Sequence, residues 1–213
     1  MNKKVHIIFD FNGVIIDDEK IHYKATQEVL KKSFNKYLSE DLYYKYFIGK
    51  TNEKAFFDYF VALNINADIN EVCKLKSLIY MEFVQQENVT IQATVNFIKN
   101  YSSIYNFSIV SGANKNEILY HLKCLGIDNL FLNIIASEDI TESKPSPEGY
   151  LKAISLSAIP VEQTIIVEDS LSGVKAAKAA KAYCIALTTT HTKEELVLAD
   201  LVVNELSINS IKY

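Results

Sequence analysis

The side chains of this chain that can do chemistry lie in four short polar segments, each beside a strand-like or helix-like stretch. These segments are Asp10-Phe11-Asn12-Gly13, Ser111-Gly112-Ala113-Asn114, Ser143-Lys144-Pro145-Ser146-Pro147 and Glu168-Asp169-Ser170-Leu171-Ser172-Gly173. Polar groups at the carboxyl ends of buried parallel strands lie where open α/β sheets bind ligands. Each segment alone is also typical of an ordinary turn or helix start, so the functional prediction depends on their combination.

Three carboxylates, those of Asp10, Glu168 and Asp169, are expected to meet at this edge of the sheet. They would repel one another, and a phosphate dianion would increase the repulsion. A divalent cation relieves it, and a site of oxygen ligands with room for water suits Mg²⁺. Lys144 adds positive charge, while Ser111 and nearby backbone N–H groups can donate to phosphoryl oxygens. Asp10 can then attack phosphorus in line, so this set of residues predicts phosphoryl transfer.

Strands and helices alternate through most of the chain. Short, apolar runs with little charge predict strands buried on both faces, at Val5–Phe9, Phe107–Val110, Asn133–Ala136, Thr164–Val167 and Ala182–Leu187. Helical patterns between the later runs cover Asn114–Leu125, Pro147–Ser157 and Leu171–Lys181. This alternation predicts an α/β fold with a doubly wound, Rossmann-like parallel sheet.

The segment from about residue 18 to residue 88 differs from the rest of the chain. It has no clear strand, and helix-period patterns cover Glu19–Lys32, Asn52–Leu63 and Ile69–Gln86. We therefore predict two domains. Residues 1–17 and 89–213 form the sheet domain, and residues 18–88 form an all-helical domain inserted after the first strand.

The four polar segments, in this order, resemble the motifs of the haloacid dehalogenase (HAD) superfamily. Within it, the chain is most similar to the β-phosphoglucomutase-like subfamily of phosphatases and sugar-phosphate mutases. Ser143-Lys144-Pro145 and Val167-Glu168-Asp169-Ser170 are near-literal matches. Asp17-Asp18-Glu19 with His22 resembles the entry to the family's C1-type helical cap, and Ile48-Gly49-Lys50-Thr51 resembles the cap loop that faces substrate. The resemblance covers the whole chain and implies a hydrolase with an HAD core and a helical cap.

The resemblance also implies a role for each matching residue. Asp10 would be the nucleophile that forms an aspartyl-phosphate. The metal ligands would be Asp10, Asp169 and the backbone carbonyl of Asn12, with Glu168 as a further ligand or a supporting partner, and the metal would be Mg²⁺. The phosphoryl group would be held by Ser111, Gly112 and Lys144. Further substrate contacts would come from His22, Lys50 and Asn52.

Asn12 departs from the family pattern, in which an aspartate at this position is the general acid and base. An amide can donate a hydrogen bond but cannot exchange a proton at neutral pH. Loss of general acid–base help lowers rates by typically ~10²–10⁴-fold. Three interpretations stay open. The protein is a weak or specialised phosphohydrolase with another proton carrier, for which His22 is the nearest candidate by analogy. Alternatively, it is a phospholigand-binding protein with poor turnover, or Asn12 is an Asp→Asn change introduced to trap substrate.

The substrate side favours a phosphatase over a mutase. Family mutases hold the second phosphate of their intermediate with an arginine of the cap loop, and Asn52 stands at about that position here. Lys74 and Lys76 can supply another contact, although a solvated helix face is the better interpretation of both. A mutase and a non-catalytic phospholigand-binding protein remain the rival hypotheses.

Composition excludes several other classes of protein. Of 213 residues, 49% are hydrophobic and 23% are charged, as expected of a globular protein, and the net charge of −4 argues against nucleic acid as a partner. No run of apolar residues is long enough for a membrane span. Three scattered cysteines suggest a reducing compartment. We therefore expect a cytoplasmic, monomeric enzyme whose partner is a small phosphorylated metabolite.

Overall fold

The computed structural model describes residues 5–48 and 50–211, in which the chain forms six strands and eight helices. The strands are β1 (His6–Phe9), β2 (Asn106–Val110), β3 (Phe131–Ile135), β4 (Thr164–Glu168), β5 (Tyr183–Leu187) and β6 (Leu201–Val203). The helices are α1 (Glu19–Phe34), α2 (Glu40–Tyr46), α3 (Asn52–Leu63), α4 (Ile69–Val84), α5 (Gln92–Tyr101), α6 (Lys115–Leu125), α7 (Glu148–Ser157) and α8 (Leu171–Ala179). Short 3-10 turns cover Ser137–Asp139, Val161–Gln163 and Ile208–Ser210.

The chain separates into two compact units, one made of residues 1–17 and 90–213 and the other of residues 18–89. The first, here called the core unit, contains the sheet with α5–α8, and the second, the helical unit, contains α1–α4. No described helix combines the length and the apolar character that crossing a bilayer requires.

The six described strands of the core unit form one parallel sheet in the order β3-β2-β1-β4-β5-β6. The strand order reverses between β1 and β4, so the sheet is doubly wound, as the sequence predicted, with its ligand-binding crevice expected beside β1. Three elements, α2, α5 and β6, lack a counterpart in the sequence-based prediction. The third strand was predicted to start at Asn133, whereas β3 begins two residues earlier, at Phe131.

The strands alternate their side chains between two covered faces. Ile8 and Ile166 belong to a buried cluster with α7 and α8, which includes Tyr150. On the other face, the ring of Phe107 lies 6.3 Å from that of Phe97 on α5. Because helices cover both faces, the central strands are mostly apolar and do not alternate apolar with polar residues.

The helical unit is held by aromatic packing. The Phe47 ring lies 5.2 Å from that of Phe56 and 5.5 Å from that of Tyr59, and Phe56 lies 5.7 Å from Phe60. Side-chain caps fix three of its helix starts: Ser39 accepts from the N–H of Leu42 before α2, Thr51 accepts from that of Lys54 before α3, and Asp68 accepts from those of Asn70 and Glu71 before α4. These caps satisfy donors that the first helical turn leaves unpaired.

Candidate active site

The register of the three central strands brings Asp10, Ser111 and Glu168 to one edge of the sheet. Phe9 lies opposite Ile109 on β2 and Val167 on β4, so Asp10 and Glu168 end their strands at the same level. The backbone N–H of Asp10 donates to the Val167 carbonyl at 2.9 Å, which extends the ladder by one residue. Asp10 is only 8% exposed.

Lys144 is the cation of this edge. Its Nζ lies 2.9 Å from Asp10 Oδ1 and 2.6 Å from Glu168 Oε1, and it also donates to the Val110 carbonyl at 3.4 Å. Burial lowers the pKa of Lys144, but the two carboxylates outweigh burial and hold it above its ordinary value. The three ammonium hydrogens therefore have three acceptors, and the group is a fixed positive charge.

Glu168 is surrounded by donors. Its Oε1 accepts from Lys144 and from the Tyr150 hydroxyl, each at 2.6 Å. Its Oε2 accepts from the N–H groups of Asp169 and Ser170 and from the Ser170 hydroxyl, at 3.0–3.1 Å. Burial raises the pKa of Glu168, yet Lys144 and these hydrogen bonds outweigh it and hold the pKa below the ordinary value. A methyl group on Gly173 would meet the carboxylate at 1.7 Å, so only glycine leaves room for it.

Asp169 completes a group of three buried carboxylates. Asp10, Glu168 and Asp169 each offer an oxygen, and these oxygens lie within 4.8 Å of one another. The Thr190 hydroxyl donates to Asp169 Oδ2. Burial raises the pKa of Asp169 well above its ordinary value, and the charges of Glu168 and Asp10 raise it further. Burial likewise raises the pKa of Asp10; Lys144 lowers it, Glu168 raises it, and the net pKa is about 7.

The geometry and chemistry of this carboxylate group fit a hard divalent cation. Three hard oxygen donors converge, and the ammonium of Lys144 is the one cation among the contacts described for these three carboxylates. Gly13 has a φ of +76°, and a methyl group there would meet Asp169 Oδ2 at 1.9 Å. Sequence reasoning missed Tyr150 and Thr190; the position of Thr190 just after β5, at the same edge, was a usable signal.

Ser111 and Asn12 adjoin the carboxylates. The Ser111 N–H donates to the Ile135 carbonyl at 3.0 Å, and its hydroxyl accepts from the Ala113 N–H at 3.0 Å. The same hydroxyl donates to Asn12 Oδ1 at 3.4 Å. Gly112 follows in the loop that leads to α6, where a methyl group would meet nothing within 4 Å. The turn after β1 is closed by the Gly13 N–H, which donates to the Ile16 carbonyl at 2.6 Å.

His22 lies in a polar cluster inside the helical unit. Lys76 Nζ is hydrogen-bonded to its Nδ1, and its Nε2 lies 3.1 Å from Asp18 Oδ2. The ring stacks on that of Tyr80 at 4.3 Å, and the Tyr80 hydroxyl donates to Asp18. The expectation that Lys76 lies on a solvated face is wrong, since it is 1% exposed. Its spacing from Val72 and Tyr80, both buried on α4, was the signal for this.

Lys50 and Asn52 flank the start of α3. Lys50 Nζ lies 3.1 Å from Asp58 Oδ2, so its charge is shared with a carboxylate of the same helical unit. Asn52 is the first residue of α3, directly after the Thr51 cap. Gly49, part of the loop that the sequence comparison singled out, lies outside the described residues.

The structure thus brings together six of the predicted site residues, all in the core unit: Asp10, Asn12, Ser111, Lys144, Glu168 and Asp169. Gly112 lies beside them in the chain. The substrate roles of His22, Lys50 and Asn52, which lie in the helical unit, stay predictions. A buried carboxylate that can act as a nucleophile, beside a fixed ammonium and two further carboxylates, is an arrangement that can carry out phosphoryl transfer.

Known proteins are similar to this chain in sequence and in fold. The family model of the haloacid dehalogenase-like hydrolases matches residues 7–187. The validoxylamine A 7'-phosphate phosphatase of Streptomyces hygroscopicus subsp. limoneus is 26% identical over 94% of this chain and 93% of its own. The phosphorylated carbohydrates phosphatase of Thermotoga maritima is 27% identical over 82% of this chain and 80% of its own.

Solved structures match the fold over nearly the whole chain. CbbY of Rhodobacter sphaeroides in complex with phosphate has a TM-score of 0.83 at 18% identity and covers 94% of this chain and 93% of its own. The β-phosphoglucomutase of Clostridium difficile has a TM-score of 0.84 at 20% identity, covering 97% and 94%. With a family model that spans most of the chain and a buried carboxylate cluster at the expected edge of the sheet, this chain belongs to the haloacid dehalogenase-like hydrolases.

Proposed function

We propose that this protein is a Mg²⁺-dependent phosphatase that hydrolyses a small phosphorylated metabolite through an aspartyl-phosphate on Asp10. The observation that carries the proposal is the cluster of three buried carboxylates around Lys144. Such a cluster is unfavourable unless positive charge compensates it, and phosphoryl transfer uses that arrangement of charges. The two relatives named above are phosphatases for phosphorylated compounds, which supports the reaction class.

The residues divide the work of the first step. Asp10 attacks phosphorus, while Lys144 balances the charge of the phosphoryl oxygens and holds the Asp10 carboxylate in place. The Ser111 hydroxyl and the N–H groups of the loop through Gly112 donate to the same oxygens. Bound Mg²⁺ would supply charge neutralisation as a Lewis acid. Asp10, Asp169 and the Asn12 carbonyl would hold it.

Glu168 is proposed as a supporting partner and not as a direct metal ligand. Its two oxygens already accept from five donors. A carboxylate offers about four lone-pair positions, so a bond to the metal would displace one of these donors. The carboxylate instead orients Lys144 toward Asp10.

Asn12 favours a second candidate function, a phospholigand-binding protein that retains the phosphate site but turns over poorly. The substrate contacts of His22, Lys50 and Asn52 belong to the proposal. Lys50 already pairs with Asp58 at 3.1 Å, which lowers its value as a grip for a second phosphate. This pairing, and asparagine at position 52, weigh against the mutase alternative.

The proposal is tested by measuring phosphate release, in the presence of Mg²⁺, from p-nitrophenyl phosphate and a panel of sugar and nucleotide phosphates. The unchanged protein, Asn12→Asp and Asp10→Asn are assayed side by side, with Asp139→Asn as a carboxylate control and with chelator. We expect activity that Asp10→Asn and chelation abolish and that Asp139→Asn preserves. Activity that appears only in Asn12→Asp would favour the phospholigand-binding candidate. No activity in either the unchanged protein or Asn12→Asp would contradict a phosphatase.

A further inference from the structure

Asn12 is fixed two residues beyond the nucleophile by the backbone of the turn. It pairs with Ile16 in an isolated bridge, and the Gly13 N–H donates to the Ile16 carbonyl at 2.6 Å. Its amide oxygen accepts from the Ser111 hydroxyl at 3.4 Å, so the side chain extends toward the end of β2. The residue at this position can donate or accept a hydrogen bond, but it cannot deliver or remove a proton.

The groups that contact Asp10 and Glu168 are committed to holding charge. All three hydrogens of Lys144 have acceptors, in Asp10, Glu168 and the Val110 carbonyl. The proton of the Tyr150 hydroxyl is directed at Glu168 at 2.6 Å. If Lys144 or Tyr150 gave its proton to a leaving group, a buried carboxylate would lose a donor that stabilises its charge. Such a loss is strongly unfavourable.

We propose that the substrates of this site are phosphates whose leaving group departs as a stable anion, namely acyl phosphates and phosphoanhydrides, and that phosphorylated Asp10 accumulates during turnover. This inference rests on the proposed function and names its substrate class. In the first step a bond forms between an Asp10 oxygen and phosphorus. The bond from phosphorus to the leaving oxygen breaks, and its electron pair leaves as a carboxylate or phosphate that needs no proton.

The second step is the slow one. Water attacks the phosphorus of phosphorylated Asp10, the Asp10 oxygen departs as a carboxylate, and the attacking water must lose a proton to bulk solvent because Asn12 cannot accept it. An alkyl phosphate, such as a sugar phosphate, would be slow already in the first step, because an alkoxide is a poor leaving group without a general acid. The same asparagine therefore selects the leaving group and prolongs the intermediate.

Steady-state rates on three compounds test the selection. Acetyl phosphate, pyrophosphate and glucose 6-phosphate are compared with Mg²⁺ in the unchanged protein and in Asn12→Asp, with Asp10→Asn as background. We expect the unchanged protein to prefer acetyl phosphate or pyrophosphate over glucose 6-phosphate by at least about 10²-fold. Asn12→Asp is expected to raise the sugar-phosphate rate by about 10²–10⁴-fold and the acetyl phosphate rate far less.

Intact-protein mass after an acid quench tests the accumulation. A protein species carrying one phosphoryl group is expected during turnover of acetyl phosphate or pyrophosphate, strong in the unchanged protein, weak in Asn12→Asp and absent in Asp10→Asn. Equal rates on glucose 6-phosphate and acetyl phosphate in the unchanged protein, or no phosphorylated species during its turnover, would overturn the inference while the phosphatase assignment stands. No reaction with any compound in either protein would overturn the phosphatase assignment itself.

Discussion

Replacing Asp10 by asparagine is expected to remove activity and yet to stabilise the metal-free protein at pH 8. Asp10 is 8% exposed. Burial, and then the charge of Glu168, raise its pKa from 3.8 to about 7, although Lys144 partly compensates. Between these two pH values the folded protein keeps a proton on Asp10 that the unfolded chain has lost. Folding stability therefore falls as the pH rises through this interval.

The size of the effect follows from the pKa. Each pKa unit corresponds to roughly 1.4 kcal/mol, so the ionised Asp10 costs about 4 kcal/mol of stability above pH 7. At pH 5 only the interval from the ordinary pKa to that pH contributes, so the cost there is less than half of its value above pH 7. Asparagine has the same shape without the charge, so Asp10→Asn should stabilise by these amounts, more at pH 8 than at pH 5.

Urea unfolding in chelator at the two pH values measures this difference. Asp139→Asn is the matched control, because the Ala136 N–H holds the pKa of that carboxyl below its ordinary value and the substitution should lower stability at pH 8. Saturating Mg²⁺ should reduce the difference in the free energy of unfolding between the unchanged protein and Asp10→Asn, since a bound cation compensates the charge of the carboxylate. Destabilisation by Asp10→Asn at pH 8, or an equal effect at both pH values, would refute the reasoning.

Two further substitutions test the geometry of the site. Tyr150→Phe removes the hydroxyl that donates to Glu168 at 2.6 Å. We expect the free energy of unfolding in urea to fall by about 1–2 kcal/mol, and kcat to fall with KM little changed. An unchanged kcat would contradict the role of Glu168 in orienting Lys144. Gly13→Ala places a methyl group 1.9 Å from Asp169 Oδ2 at a φ of +76°. It should lower the free energy of unfolding by about 1–3 kcal/mol and raise the Mg²⁺ concentration that half-maximal activity requires. Gly126→Ala is the control, at a φ of +64° with nothing within 4 Å. It should lower the free energy of unfolding through the same backbone strain and leave the required Mg²⁺ concentration unchanged.

Local sequence determined the sheet and the edge where the site lies. Apolar runs such as Ile165-Ile166-Val167 indicate strands buried on both faces, and polar residues directly after them mark the carboxyl edge. These signals depend only on neighbours in the chain. They fail for β6, whose three residues are partly exposed at the edge of the sheet and form too short a run to stand out.

Only the tertiary structure decided how the charges of the site are arranged. Sequence comparison offered Glu168 as a metal ligand or a supporting partner, but the donors that surround it come from α7, from Lys144 and from the start of α8. Thr190 reaches Asp169 from the segment after β5. The contacts of Lys144 and Tyr150 with Glu168, and of Thr190 with Asp169, join residues more than 15 positions apart, and packing of helices and loops against the sheet sets them. Residue types at strand ends can therefore predict which groups meet, whereas which oxygen each donor satisfies depends on the folded packing.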